Sequence, residues 1–288
     1  MCKINPLIHE FGPTIMRNMF QLLLLTVVMC SAFGCAGAQP VKPLQALLIT
    51  GGCCHDYKFQ SEKLTTGSSA LANIQWTVKL DPRTGTEGEI DLYDKPDWAA
   101  PYDVVVHNEC FANTADPEYI RKITKAHRAN VPAVVIHCAM HTYRAAEIDD
   151  WRQFLGVTSR RHDHQSEYPV NLTDAGRKHP IMQNFPDGWK TPKDELYVIE
   201  KLWGNATPLA TSTSEKDGKS YPTFWTNMYG QSRVFGTTYG HGNATFEDPV
   251  FIKTVTKGIL WAAGKLDDDG MPAKGYMAAC EHCEMKSN

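Results

Sequence analysis

VPAVVIHC, residues 131–138, is an apolar run that stops on an imidazole and a thiol. Such a run, rich in β-branched residues and without polar alternation, reads as a strand buried on both faces, as in a parallel sheet covered by helices. The chain then leaves the strand through AMHTYR (139–144), so that His137, Cys138 and His141 gather at its carboxyl end. Two earlier segments repeat the pattern. PLQALLITGG (43–52) ends in glycines and delivers Cys53, Cys54, His55 and Asp56, and YDVVVHN (102–108) delivers His107, Asn108 and then Glu109. WTVKL (76–80) is a further strand. The strands at 44–50, 102–107 and 132–137 are expected to be central and parallel.

Between these strands lie helix signals. Asp116 and Pro117 form an N-cap and first helical residue, followed by Ile120, Ile123 and His127 at helical spacing. Ile148, Trp151 and Leu155 make a short stripe closed by Gly156. Alternating strands and helices imply right-handed crossovers and an open α/β sheet. From about residue 164 the texture changes to short strands: EYPVNL (167–172), ELYVIEKL (195–202), TPLATS (207–212), YPTFWTN (221–227) and SRVFGTTYG (232–240). A last helix starts at Asp248-Pro249, carries Phe251, Val255 and Ile259, and stops near Gly264, leaving a tail over 265–288 that is expected to pack loosely.

The chain has 288 residues and a net charge of −3 without a basic block, which gives it no electrostatic footprint for nucleic acid. Its first 38 residues read as an export signal: Arg17, the short apolar core LLLLTVVMC (22–30), then Ala36-Gly37-Ala38 with cleavage near Gln39. Ala32-Phe33-Gly34-Cys35 is an imperfect lipobox, and cleavage there would leave a lipid anchor on Cys35. An uncleaved membrane anchor is the bland alternative, disfavoured by the short core. The expected location is therefore periplasmic or secreted.

Nine cysteines reduce to six beyond the signal: Cys53, Cys54, Cys110, Cys138, Cys280 and Cys283. An even number in an oxidising compartment permits disulfides without fixing their pattern. Cys53 and Cys54, being adjacent, are poor partners for each other on steric grounds. Cys280 and Cys283 have C-x-x-C spacing but lack the following His of a haem attachment motif, which leaves a tail disulfide or an adventitious metal site.

Ligands of open α/β sheets bind outside the carboxyl ends of the strands. Further polar clusters lie downstream, at His162-Asp163-His164 with Glu167, at KDELY (193–197) and at YGHGN (239–243). A single histidine or acid of this kind is ordinarily a solvated or hydrogen-bonded residue. Their repeated placement at segment ends is what points to a site.

ITGG with the following HD, YDVVVHN, VVIHCAMHTY, the HP of RKHPIM (177–182), DELY, YG-x-x-RVF (229–235) and GHG with F-x-DP-x-F and WAAG together resemble the ThuA-like, trehalose-utilisation family over roughly 44–264. The resemblance implies the fold of class I glutamine amidotransferases: a flavodoxin-like, doubly wound, mainly parallel sheet with added C-terminal strands. It also implies a role in sugar utilisation, with oxidised (3-keto) sugars as plausible substrates. In the amidotransferases a Cys occupies a strained elbow, activated by a His with a carboxylate behind it. Here the elbow position falls on His137, with Cys138 one residue later, and Ile136 and Ala139 stand where glycines are wanted.

The resemblance thus favours imidazole chemistry over a thioester. His55, His137, Glu195 and His241 are the candidate catalytic set, and the same four could ligate a divalent metal such as zinc. Asp56, Asn108, His141, His164 and Tyr239 are candidate substrate-binding residues, His164 close enough to complete the shell. Trp225, Tyr229 and Tyr239 are available to stack on a pyranose. The leading expectation is an exported hydrolase, lyase or isomerase acting on a small-molecule carbohydrate. The rivals are a Cys138-dependent amidohydrolase and a non-catalytic carbohydrate-binding domain.

Overall fold

The computed structural model describes residues 41–278; the segment expected to be an export signal, with the expected lipobox, and Cys280 and Cys283 lie outside the described residues. The chain order is β1 (Leu44–Gly52), α1 (Tyr57–Ser69), β2 (Ile74–Asp81), β3 (Val104–Cys110), α2 (Pro117–Ala129), β4 (Ala133–Ile136), α3 (Asp150–Leu155), β5 (Val157–Ser166), β6 (Asn171–Leu172), α4 (Asp174–Lys178), β7 (Asp194–Leu202), β8 (Thr207–Thr213), β9 (Ser220–Tyr229), β10 (Ser232–Thr237), α5 (Asn243–Glu247) and α6 (Pro249–Ala262). A short 3₁₀ turn, His137–Met140, follows β4.

Eight strands form one sheet in the order β2-β1-β3-β4-β10-β9-β8-β6. The pairings from β2 across to β10 are parallel, and those from β10 outward to β6 are antiparallel. β1, β3 and β4 are therefore interior and parallel, and their apolar residues are buried throughout. β2, with residues exposed on both faces, is the edge. Helix α1 packs on α6 and α2 packs on α3, the double layer that a parallel sheet needs on its two faces.

Local signals account for the boundaries. Asp116 caps α2, accepting from the Glu118 N–H, with Pro117 at its first position. Asp248 caps α6 in the same way, accepting from the N–H groups of Val250 and Phe251. Gly156 ends α3 in the left-handed region at φ 83°.

Several expectations require correction. EYPVNL supplies only the two residues of β6, whereas the charged stretch VTSRRHDHQS, which carries no apolar alternation, forms β5 and pairs antiparallel with β7 outside the main sheet. The pairing is irregular, with register shifts between His162 and Gln165. The tail does not hang loose as far as it is described: the Asn73 N–H donates to the Tyr276 carbonyl, Ala72 bridges Met277, and Tyr276 packs against the core. Cys53 and Cys54 are bonded to each other, with Cys54 in the left-handed region at φ 85°, and Cys110 is bonded to Cys138. No helix among the described residues is long and apolar enough to cross a membrane.

Candidate functional site

The elbow after β4 carries the backbone signature of a strained turn. His137 sits at φ 47°, a left-handed conformation that a residue with a side chain adopts at a cost of roughly 1–3 kcal/mol. Its imidazole is buried, and Nδ1 donates to the Thr238 carbonyl at 2.6 Å. That bond fixes the tautomer and leaves Nε2 as an acceptor, which the Tyr197 hydroxyl reaches at 3.2 Å. The loop after β10 can come this close only because Gly240 has no side chain. At φ 135°, a Cβ there would stand 2.8 Å from Ile136 Cγ2 and 3.1 Å from His137 Cβ.

His241 follows on that loop. Its position is set by Asp194, a fully buried carboxylate that accepts from the backbone N–H groups of Gly240 (3.0 Å), His241 (3.2 Å) and Glu195 (2.7 Å), and from the Thr245 hydroxyl. The next residue of β7, Glu195, points into the site. Its Oε2 lies 3.3 Å from His241 Nδ1, 3.5 Å from His162 Nδ1 and 3.7 Å from His137 Nε2. His55, after β1, packs edge-on to both other imidazoles, ring centroids 4.9 Å from each. Its Nδ1 donates to the His241 carbonyl at 3.1 Å. One nitrogen from each of His55, His137 and His241 can be chosen so that all lie within 4.8 Å of one another.

The electrostatics divide these groups. Burial pulls His55 down to about 4, and the neighbouring His241 charge adds to the shift. Burial, then repulsion from His55, holds His137 well below the ordinary imidazole range. His241 moves the other way, because its contact with Glu195 raises it against the effect of burial. For Glu195, burial acts upward, but the contact with His241 and its charge, then the charges of His162 and His55, outweigh it and the net shift is downward. The site thus sets two imidazoles lowered by burial beside a carboxylate and an imidazole that hold each other toward their charged forms. Asp194 is pushed by burial up to about 6, against the hydrogen bonds it accepts.

These residues also suit a divalent metal. His55 and His137 each spend Nδ1–H on a backbone carbonyl, the arrangement that orients a ligating imidazole and frees its Nε2. His241 Nδ1 is buried without a well-aligned hydrogen-bond partner. Three imidazole nitrogens, with Glu195 Oε2 beside two of them, are donor types that zinc takes.

The other expected residues are placed differently. Asn108 is buried one layer behind, its amide donating to Gln60 Oε1, while Gln60 donates to the Gly240 and His241 carbonyls. Asp56 caps α1 through the Phe59 N–H and accepts from Asn243, which makes it a framework residue. His141 is buried, stacked on Tyr197 at 4.0 Å and hydrogen-bonded to Ser159. Tyr239 is wholly buried and its hydroxyl donates to Ser212; Trp225 and Tyr229 are buried too, so none of the three offers a face to a sugar. His164 is turned outward and pairs with Glu215 at 2.7 Å, because the irregular pairing of β5 rotates it away; His162 takes the place beside Glu195. His107 and Glu109 do not reach the rim. They pair with each other at 2.8 Å in the interior, with His127 3.0 Å from His107. Sequence reasoning missed Asp194 and Gln165, whose amide lies 2.7 Å from His241 Nε2. Only the first carried a signal, as the leading acid of DELY.

Fold and site together define a flavodoxin-like α/β protein with a buried imidazole at the elbow after β4. The chain belongs to the ThuA family, described as trehalose utilisation, whose model matches residues 47–262. Among solved structures it is similar to a ThuA-like protein from Parabacteroides merdae, at 23% identity and TM-score 0.61, over 82% of this chain and 97% of that one. It is also similar to a ThuA-like protein from Bacteroides uniformis, at 17% identity and TM-score 0.59, over 83% and 99%. At these identities the likeness concerns the fold. No curated protein matches the chain.

Proposed function

We propose that the protein is an exported enzyme that processes a sugar or an oxidised (3-keto) sugar by proton transfer at the Glu195–His241 couple. The observation that carries this reading is Glu195 Oε2 within 3.3–3.7 Å of three imidazoles from three separate segments. A carbonyl on a sugar ring acidifies the adjacent C–H bonds. Glu195, held toward its ionised form, is suited to accept such a proton, and His241, held toward its protonated form, to deliver one to an oxygen. His55 and His137, both neutral and with Nδ1–H spent on a backbone carbonyl, are suited to accept from substrate hydroxyl groups through Nε2. With a divalent cation such as zinc held by His55, His137, His241 and Glu195, the last two would serve as ligands in place of the proton-transfer couple, and the cation would polarise the carbonyl as a Lewis acid. The signal over residues 1–38 would send the protein to the periplasm or outside, with Cys35 as a possible lipid attachment point.

The amidohydrolase reading needs a free thiol at Cys138, whose sulfur is bonded to Cys110. Incubation of the protein with a panel of keto-sugars and glycosides, followed by NMR with and without chelator, tests the proposal. Turnover that disappears in Glu195→Gln and persists within a few-fold in Cys138→Ser supports it. Saturable binding without turnover would assign the site to a carbohydrate-binding domain, and loss of turnover in folded Cys138→Ser would restore the thiol.

A further inference from the structure

A second constellation lies beside the imidazoles and takes no part in their chemistry. Cys53 and Cys54 follow β1, Cys110 closes β3, and Cys138 follows the elbow residue. The two bonded pairs, Cys53–Cys54 and Cys110–Cys138, touch each other: Cys53 Sγ is 3.6 Å from Cys110 Sγ. The sulfurs of Cys53, Cys54 and Cys110 all lie within 4.8 Å of one another. Cys53, Cys110 and Cys138 pack with Tyr57 in a small cluster separate from the main core, while Cys54 is exposed.

Two disulfides that merely brace strand ends have no need to meet sulfur to sulfur. Three thiolates around one cation, with metal–sulfur bonds of about 2.3 Å, would stand about 4 Å apart. The Cys53–Cys110 separation of 3.6 Å is close to that spacing, Cys54 Sγ lies within 4.8 Å of Cys110 Sγ, and reduction frees Cys53 and Cys54 to move apart. A donor set of sulfur alone selects soft cations over magnesium, calcium or manganese.

We propose that, in its reduced state, this basin is a binding site for one copper(I)-type cation, held by the thiolates of Cys53, Cys54 and Cys110. Opening the basin requires a dithiol reductant. One thiolate of the dithiol attacks the exposed Cys54 sulfur, the Cys53–Cys54 bond breaks, and Cys53 leaves with the electron pair. The second thiol of the reductant then displaces Cys54 and carries the reductant off as its own disulfide. Cys53 thiolate, in contact with Cys110, attacks that sulfur and Cys138 leaves. Cys54 attacks Cys53 in turn, restoring the first pair and freeing Cys110. A second dithiol repeats the opening step. Two dithiols are oxidised, two protein disulfides become four thiols, and the cation displaces the protons of its three ligands.

The test uses the full chain carrying Cys280→Ser and Cys283→Ser, so that the tail supplies no thiols. It is reduced anaerobically with dithiothreitol, freed of reductant, and offered copper(I) as its acetonitrile complex. Bound metal is measured by mass spectrometry and thiolate ligation by near-ultraviolet charge-transfer absorption. The expected result is one more ion per reduced chain than per oxidised chain. That increment should vanish in Cys110→Ser and in Cys54→Ser, the latter an exposed position where folding is not at issue, and persist in His241→Ala. No increment after full thiol release, resistance of the native disulfides to the dithiol, or an increment that survives both cysteine variants would each overturn the proposal. An ion lost only in His241→Ala would belong to the imidazole set, leaving the sugar-processing reading untouched and the sulfur site refuted.

Discussion

Asp194 holds His241 by its backbone, accepting from the His241 N–H at 3.2 Å, while its neighbour Glu195 faces the same imidazole at 3.3 Å. Successive residues of one strand point to opposite faces, so β7 uses one carboxylate to place His241 and the next to charge it. Asp194→Asn would aim amide hydrogens at the Gly240 and His241 N–H groups and at Thr245 in a fully buried spot. We expect a stability loss on the order of 1–3 kcal/mol, read as a lower urea midpoint, together with lost turnover.

Glu195→Gln should separate charge from placement. The fold should keep its melting temperature within a few degrees, because Glu195 lies at the solvent-facing end of the buried site with its side chain 10% exposed. Turnover should fall by about 10²–10⁴-fold, the usual weight of a positioned acid or base. The His241 imidazole, raised by Glu195, should titrate at lower pH in the variant, measured by NMR. An unchanged His241 titration would break the proposed coupling.

Much of this arrangement was legible because burial writes itself into composition. β1, β3 and β4 carry buried apolar runs since both faces are covered, and the ends of β1 and β4 lead to the rim, whereas the polar end of β3 stays buried. β5 was illegible for the converse reason: outside the main sheet and half exposed, VTSRRHDHQS needs no apolar pattern. Helix α1 escaped notice because YKFQSEKLTTGSS has only Leu64 and Tyr57 as buried apolar anchors, its other buried positions being Gln60, Ser61 and Ser68. His55, His137, Glu195 and His241 could be gathered from strand ends, but direction could not. Tyr239 and His107 lie in the same segments as site residues and turn inward.

Acid should destabilise the protein. His55 is drawn down to about 4 and His127 and His141 to about 3, burial being the first cause in each. The unfolded chain therefore binds more protons than the folded one between the ordinary histidine value and about 4, so stability is present above that window and lost as pH falls through it. Asp194, raised to about 6, acts oppositely and offsets one histidine. His127 is remote from the site, which makes His127→Gln the informative variant. Its stability deficit relative to the parent should shrink by roughly 3 kcal/mol between pH 6.5 and 4, by urea titration. A constant deficit would mean that His127 titrates alike in the folded and unfolded chain.

His162 and His164 lie two residues apart on β5, yet only one belongs to the site. Regular pairing would turn both side chains to the same face, as the period of a strand requires. The register shift between His162 and Gln165 breaks that period. His162 Nδ1 is left 3.5 Å from Glu195, and His164 is sent outward to Glu215 at 2.7 Å. His162→Ala should therefore weaken kcat/KM by about tenfold, the effect of one lost charge-assisted contact worth about 1.4 kcal/mol on a carboxylate that keeps its other partners. His164→Ala removes only an exposed ion pair, worth about 0–1 kcal/mol of stability, and should leave kcat/KM within twofold. The reverse ranking, with His164→Ala the damaging variant, would show that β5 closes over substrate in a different register and that the shell around Glu195 is incomplete as drawn.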